Sequence, residues 1–221
     1  MLVRDCMTYH PIMVAPTMPL SEAQQLMADN RIRHLPVVED GKRLVGLLTR
    51  DSLTLKPDVL GSLNVWEITR SLAGLTVRQV MIKLPQVKMI TPNRSVERAA
   101  GIMLENKVGC LPVVEDEKNK VVVGIVTAVD MLHSLQEMLG LPDTGVRVTV
   151  RMQNKKGEFA RLMGVLAEQG WGVMGIGTFP VRKDPSMYNT VIKINDVDPE
   201  EVRAVFSKVD GQEITDLRTV D

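Results

Sequence analysis

The sequence predicts a mixed α+β protein: a duplicated unit paired about a pseudo-twofold axis, then a smaller domain of split β-α-β type. Three observations predict it. Leu35-Pro-Val-Val-Glu-Asp40 returns as Leu111-Pro-Val-Val-Glu-Asp116. Val3-Arg-Asp-Cys-Met7 returns as Val77-Arg-Gln-Val-Met81, and Gly46-Leu-Leu-Thr49 as Gly124-Ile-Val-Thr127, in the same order along the chain. Beyond Gly145 the repetition stops and a new alternation of apolar and polar residues begins. The spacing between copies widens where loops would lie, as expected when a duplication drifts.

Each repeat reads as β-α-β-β-α. A short extended piece comes first, Ile12-Met13-Val14 or Val87-Lys88-Met89-Ile90. An amphipathic helix follows, with Leu20, Ala23, Met27 and Ala28 on one face in the first copy and Val96, Ala99, Ala100, Met103 and Leu104 in the second. Pro19 suits the first helix start, where its missing N–H costs little. A β-hairpin comes next, turned by Asp40-Gly41 in one copy and by Glu117-Lys-Asn-Lys120 in the other. The closing helices start after Thr49 and Thr127. This gives a first repeat over 1–55, a connector over 56–76, a second repeat over 77–139, a linker over 140–145 and a C-terminal domain over 146–221. In the connector, Leu63, Trp66, Ile68 and Leu72 suggest a short helix, either covering the core edge or docking a second subunit through Trp66.

The C-terminal domain opens with a strand in which Val146, Val148, Val150 and Met152 alternate with polar residues. A helix over 157–169 follows, with Phe159, Leu162, Met163 and Leu166 on one face. A strand over 171–181, a turn at Arg182-Lys-Asp-Pro185, and a strand over 188–194 come next. Asp198-Pro199 opens a helix, and Ile214 to Val220 is a last strand. The order β-α-β-β-α-β is that of a ferredoxin-like fold.

Composition narrows the function. Lysine plus arginine and aspartate plus glutamate each number 27, so no surplus of positive charge exists to bind nucleic acid. No apolar run is long enough to cross a bilayer, and the N-terminus has no signal-peptide pattern, so the expected location is cytoplasmic. Cys6 and Cys110 suit a reducing compartment. His10, His34 and His133 show no metal-ligand spacing. No Ser-His-Asp or Cys-His arrangement and no GxxxxGK[ST] loop is present, so no catalytic residue is expected. His34 and Cys110, at equivalent repeat positions before Leu-Pro, are expected to be structural.

The junction Thr127-Ala-Val-Asp130 admits two readings. It can be a capping box, with Thr127 as the cap and an acid three residues on reaching back to it. It can equally be half of a nucleotide site. Helix N–H groups and the Thr127 hydroxyl would then hold a phosphate, Asp130 would accept the hydroxyls of a ribose, and the strand Gly124-Ile-Val126 would face the base.

The duplicated unit, its length and the Gly-x-x-Thr-x-x-Asp end of its second copy resemble a tandem pair of CBS domains, a Bateman module, over residues 1 to about 139. The stretch from about 145 to 221, with its strand, Asn154-Lys-Lys-Gly157-Glu-Phe loop and helix, resembles an ACT domain. The two in this order are similar to regulatory proteins of the AcuB type, linked to acetoin utilisation. The resemblance implies a non-enzymatic allosteric sensor of AMP, ADP, ATP or S-adenosylmethionine, and a homodimer. Its main pocket would use Thr127, Asp130, Ile125, Ile12, Ile32 and Arg33. A second pocket would use Thr49, Arg50, Asp51, Leu47, Val87, Val108 and Gly109, although its acid has moved one position from the pattern, with Ser52 in the expected place. The ACT resemblance implies a small effector, commonly an amino acid, at Asn154 and Gly157, or simple pairing of subunits. A structural adaptor for a partner enzyme, with no ligand of its own, is the alternative.

Overall fold

The computed structural model describes residues 1–53 and 74–220. They form two compact units, Met1–Leu132 and His133–Asp221. The division falls inside helix Ala128–Met138, upstream of the linker expected at 140–145. The connector residues Leu63, Trp66, Ile68 and Leu72 lie outside the described residues.

The first repeat runs α1 (Val3–Cys6), β1 (Thr8–Tyr9), α2 (Leu20–Asp29), β2 (His34–Glu39) and β3 (Arg43–Thr49), then a single 3-10 turn, Asp51–Leu53. The second runs α3 (Val77–Val80), β4 (Ile82–Lys83), α4 (Val96–Asn106), β5 (Cys110–Val114), β6 (Val122–Thr127) and α5 (Ala128–Met138). The hairpins and amphipathic helices stand where the periodicity places them. The leading strands do not. They lie before Ile12–Val14 and Val87–Ile90, which instead give single parallel bridges, Val14 to Val37 and Ile90 to Val113. A two-residue strand is too short to show a period of two.

Those short strands are exchanged. β1 pairs antiparallel with β6 of the second repeat, Thr8 opposite Ile125, and β4 pairs with β3 of the first, Ile82 opposite Leu47. The helical turns before them cross over too. Val3 and Met7 are buried in the second repeat's core with Ala99, Met103, Leu111 and Val126. Val77 is buried in the first repeat's core with Leu20, Ala23, Leu35 and Leu48. Gly46 and Gly124 make the exchange possible. A Cβ on Gly46 would stand 2.6 Å from Met81 Sδ and 2.8 Å from the Ile82 carbonyl oxygen, and one on Gly124 would stand 2.7 Å from Met7 Sδ. The glycine that begins each Gly-x-x-Thr run is therefore explained by the approach of a strand, with no ligand required.

A third apolar cluster joins the repeats: Leu44, Leu47, Val87, Cys110, Val122 and Ile125. Two helix-face expectations fail at their edges. Ala28 is exposed and Leu104 is 79% exposed, because the buried stripe keeps only the positions three and four residues apart: Leu20, Ala23 and Met27, and Val96, Ala99 and Met103.

The C-terminal unit contains β7 (Gly145–Gln153), α6 (Glu158–Gln169), β8 (Val173–Val181), β9 (Asp184–Ile194), α7 (Pro199–Phe206) and β10 (Glu213–Val220). Its antiparallel sheet has the order β10-β7-β9-β8. Val146, Val148, Val150 and Met152 pack with Ile192 and Ile194 against Leu162, Leu166, Val202 and Phe206 of the two helices. Phe159, expected on the buried face of α6, is 43% exposed. It lies in the first turn, at the edge of the sheet. Asp198 caps α7, accepting from the Glu200 N–H at 2.7 Å. Lys193 is buried and donates to the Gly140 carbonyl at 2.9 Å and to that of Asp143, which fastens the 140–143 segment to β9. Among the described residues no helix is long and apolar enough to cross a membrane.

Candidate functional site

Each hairpin ends at a strand-to-helix junction held by its own repeat. At the second, the Ala128 N–H donates to the Gly109 carbonyl at 2.9 Å, and Cys110 lies opposite Thr127 in the sheet. At the first, the Arg50 N–H donates to the Arg33 carbonyl at 2.9 Å, and His34 lies opposite Thr49. Arg33 therefore borders Thr49 and Arg50, and Gly109 borders Thr127. Ile32 packs on the first repeat's core and Val108 on the second's.

The capping reading is realised at both junctions. Asp130 Oδ2 accepts from the Thr127 N–H at 2.6 Å and from the Thr127 hydroxyl at 2.7 Å. The Asp130 N–H in turn faces Thr127 Oγ1 at 3.4 Å. In the first repeat Ser52 takes the acid's place. Its hydroxyl oxygen accepts from the Thr49 N–H at 3.1 Å, and the Ser52 N–H donates to Thr49 Oγ1 at 3.2 Å. Asp51 is exposed on the 3-10 turn. The two junctions thus share one backbone device and differ in charge: one holds a fixed carboxylate, the other a neutral hydroxyl.

Ile125, Leu47 and Val87 are buried walls of the cluster between the repeats. Thr127 and Asp130 are partly buried; Arg33, Arg50 and Gly109 are exposed, and Ile12 is 37% exposed. The repeats also meet at His34, which the sequence reading expected to be structural. The His34 ring lies against Gly109, so that a Cβ there would stand 3.7 Å from Nε2. Burial holds the His34 pKa below its ordinary value, with the nearby Arg33 charge acting the same way and Asp51 opposing. Cys110 is buried in the cluster between the repeats, and burial pushes its thiol up to about 12. Cys6 and Cys110 form no disulfide, and no metal-binding cluster of acids, histidines or cysteines occurs among the described residues.

In the C-terminal unit, Gly157 precedes α6 with a φ of 94°, a left-handed conformation that suits glycine. The Asn154 N–H donates to the Ser186 carbonyl at 2.7 Å, which ties the loop to β9. Asn154 borders a cavity of about 240 Å³.

Comparison with known proteins bears on the N-terminal unit. The family described as CBS domain matches residues 3–56 and 77–137, just over half of the chain. A homoserine O-acetyltransferase of Methanocorpusculum labreanum is 32% identical over 139 residues, 63% of this chain and 25% of the relative. The chain spans about a quarter of the length of the homoserine O-acetyltransferases it matches. Among solved structures, CBSX2 in complex with AMP, a protein also solved from Arabidopsis thaliana, is 26% identical, with a TM-score of 0.50 over 61% of this chain and 95% of that one. A Vibrio cholerae protein assigned to acetoin utilization (AcuB) is 30% identical, with a TM-score of 0.49 over 61% of this chain and 90% of that one.

Proposed function

Since this chain belongs to the CBS domain family and carries two copies in tandem, we propose that it is a regulatory protein whose repeat pair binds an adenine nucleotide or related adenosyl compound. The observation that carries this reading is the Thr127–Asp130 junction. A partly buried carboxylate is held by its own cap at the start of α5, beside Gly109, where the His34 ring of the first repeat comes against the second. Helix N-terminal N–H groups suit a phosphate there, and Asp130 suits a ribose. The AMP complex of CBSX2 supports the ligand class. The main pocket comprises Thr127, Asp130 and Ile125, with Ile12, Ile32 and Arg33 from the first repeat. The second comprises Thr49, Arg50, Asp51, Leu47, Val87, Val108 and Gly109. It lacks the capped acid and is the weaker. The ligand regulates by favouring one of two packings of the pair, which requires differential affinity for the two.

In the same reading, the C-terminal unit serves as an ACT-type module that pairs subunits or takes a second small effector. The protein is a cytoplasmic homodimer that regulates a partner enzyme and performs no catalysis itself. A role in acetoin utilisation is the physiological form of this proposal.

Titration calorimetry with AMP, ADP, ATP and S-adenosylmethionine tests it on the wild type and on Asp130→Ser. The structure selects that variant, because Ser52 shows that a serine can make the cap without the charge. At least one ligand is expected to bind the wild type, and the variant to bind it about tenfold or more weakly, as befits a lost charged acceptor. Binding by none of the four, or equal binding by the variant, sinks the reading.

One observation favours a second reading, an adaptor without a ligand: both junctions are satisfied as caps by their own residues. A pull-down from native extract, with and without nucleotide, separates the two. An adaptor retains its partner enzyme at fixed stoichiometry in both conditions.

A further inference from the structure

The two hairpins of the N-terminal unit meet at both of their ends, and the two contacts differ in kind. At the turn end, the Leu44 N–H donates to the Lys120 carbonyl at 2.9 Å and the Val122 N–H to the Lys42 carbonyl at 3.0 Å. Arg43 and Val121 are bridged between them. Lys42 and Lys120 hold equivalent places in the two turns, and both are left-handed, with φ of 74° and 56°. A lysine adopts that backbone at a cost, and here each strained carbonyl is engaged by the other repeat. Directional bonds thus clasp the turns.

At the junction end, where Thr49 and Thr127 close their strands, the His34 ring rests against Gly109. A Cβ on Gly109 would stand 3.7 Å from His34 Nε2 and 3.9 Å from Cε1, ordinary packing distances. Between the two ends lies the apolar cluster of Leu44, Leu47, Cys110, Val122 and Ile125. A pair clasped at its turns and packed at its junctions opens at the junctions first. Burial at that edge opposes a charge on His34. The charged groups that act on the ring, Arg33 in the same sense and Asp51 in the opposite one, both belong to its own repeat. From the second repeat it meets uncharged Gly109, next to Cys110, whose thiol is pushed up to about 12 and stays neutral. A protonated ring in this gap regains water by separating the repeats.

We propose that His34 is a proton-operated gate on the repeat pair: neutral, it lets the junction ends close on each other, and protonated, it drives them apart about the clasped turns. A ligand that bridges the junction ends therefore binds more weakly as the pH falls. The gate belongs to the unliganded chain, and its effect on a nucleotide rests on the reading above. One proton is linked, so the opening equilibrium changes by at most about tenfold per pH unit.

The test follows Cys110, which is 3% exposed in the cluster that opening uncovers. In a Cys6→Ser background it is the single thiol of the chain. Its reaction with dithiodipyridine is timed without ligand from about pH 7.5 to about pH 5.5, with and without His34→Asn. Comparing the two chains at each pH cancels the titration of the thiol itself. The rate with His34 present, divided by that of the variant, is expected to rise about threefold or more on acidification. Asp51→Asn removes the charge that favours protonation and is expected to move the rise to lower pH; it keeps His34 and decides the matter if His34→Asn does not fold. A flat ratio, or a profile that Asp51→Asn leaves in place, overturns the proposal. Adenosine, which has no phosphate, is titrated beside AMP. Acidification is expected to raise both Kd values more in the wild type than in His34→Asn. AMP binding that tightens at low pH while adenosine binding does not would make His34 a phosphate contact and overturn the gate. Failure of both compounds to bind overturns the nucleotide reading and leaves the thiol rates to decide this one.

Discussion

Asp130 and Ser52 hold equivalent places in the two repeats and make the same cap, so the cap cannot be the reason one is charged. The spacing of Thr127 and Asp130 was legible in the sequence, but periodicity could not choose between cap and ligand site, since both use the same parts. His34 was illegible for a different reason. Its contact with Gly109 joins residues far apart in sequence, and no local pattern announces it. That contact gives a pH prediction. Burial lowers the folded-state pKa of His34 below 6.5, so the unfolded chain binds the proton more readily. The stabilisation is complete above the unfolded value and declines as pH falls from there toward the folded one. Urea midpoints taken at about pH 7.5 and about pH 5.5 are expected to fall further for the wild type than for His34→Asn. An equal fall in both would assign the acid sensitivity elsewhere.

Among the elements, α2, α4, α5, α6, α7 and the hairpins were legible because each is long enough to display its period, and the β-α-β-β-α-β order of the C-terminal unit likewise; the four-residue α1 and α3 were not. The exchange of β1 and β4 was not, since two residues show no period. Its trace in the sequence is indirect: a glycine at the same place in each hairpin, Gly46 and Gly124, where a strand of the other repeat passes. The exchange predicts where damage will spread. Val3→Ala and Val77→Ala each open a cavity at a fully buried position and should each cost about 1–3 kcal/mol. Hydrogen exchange should locate the loss from Val3→Ala in β5 and β6, and that from Val77→Ala in β2 and β3. Loss confined to the repeat that carries the substitution would contradict the exchanged cores.

At the scale of the molecule, the proposed homodimer needs a surface to pair through. α5 exposes Val129, Leu132, Leu135 and Met138, at 71%, 62%, 52% and 44%, three residues apart along the helix. Steps of three turn by about 60° short of a full circle, so the four spiral round α5 with Leu132 and Leu135 as the middle neighbours; exposed apolar side chains are costly to leave in water, and a second copy is the occupant that the proposed homodimer supplies. Sedimentation equilibrium is expected to show a dimer for the wild type, and a weaker one or a monomer for Leu132→Glu combined with Leu135→Glu. An unaltered dimer in that variant would move the interface away from α5.

The crossed leading segments make the repeat a unit of inheritance but not of folding. A chain severed between 53 and 77 would give two pieces, each lacking the plug and strand that the other carries. Neither piece alone could close its core, and mixing them should restore what each has lost. For a solitary repeat, the shortest route to a complete interior is a second copy of itself. A tandem duplication ties that obligate pair into one chain, whose two junctions differ, one charged and one neutral.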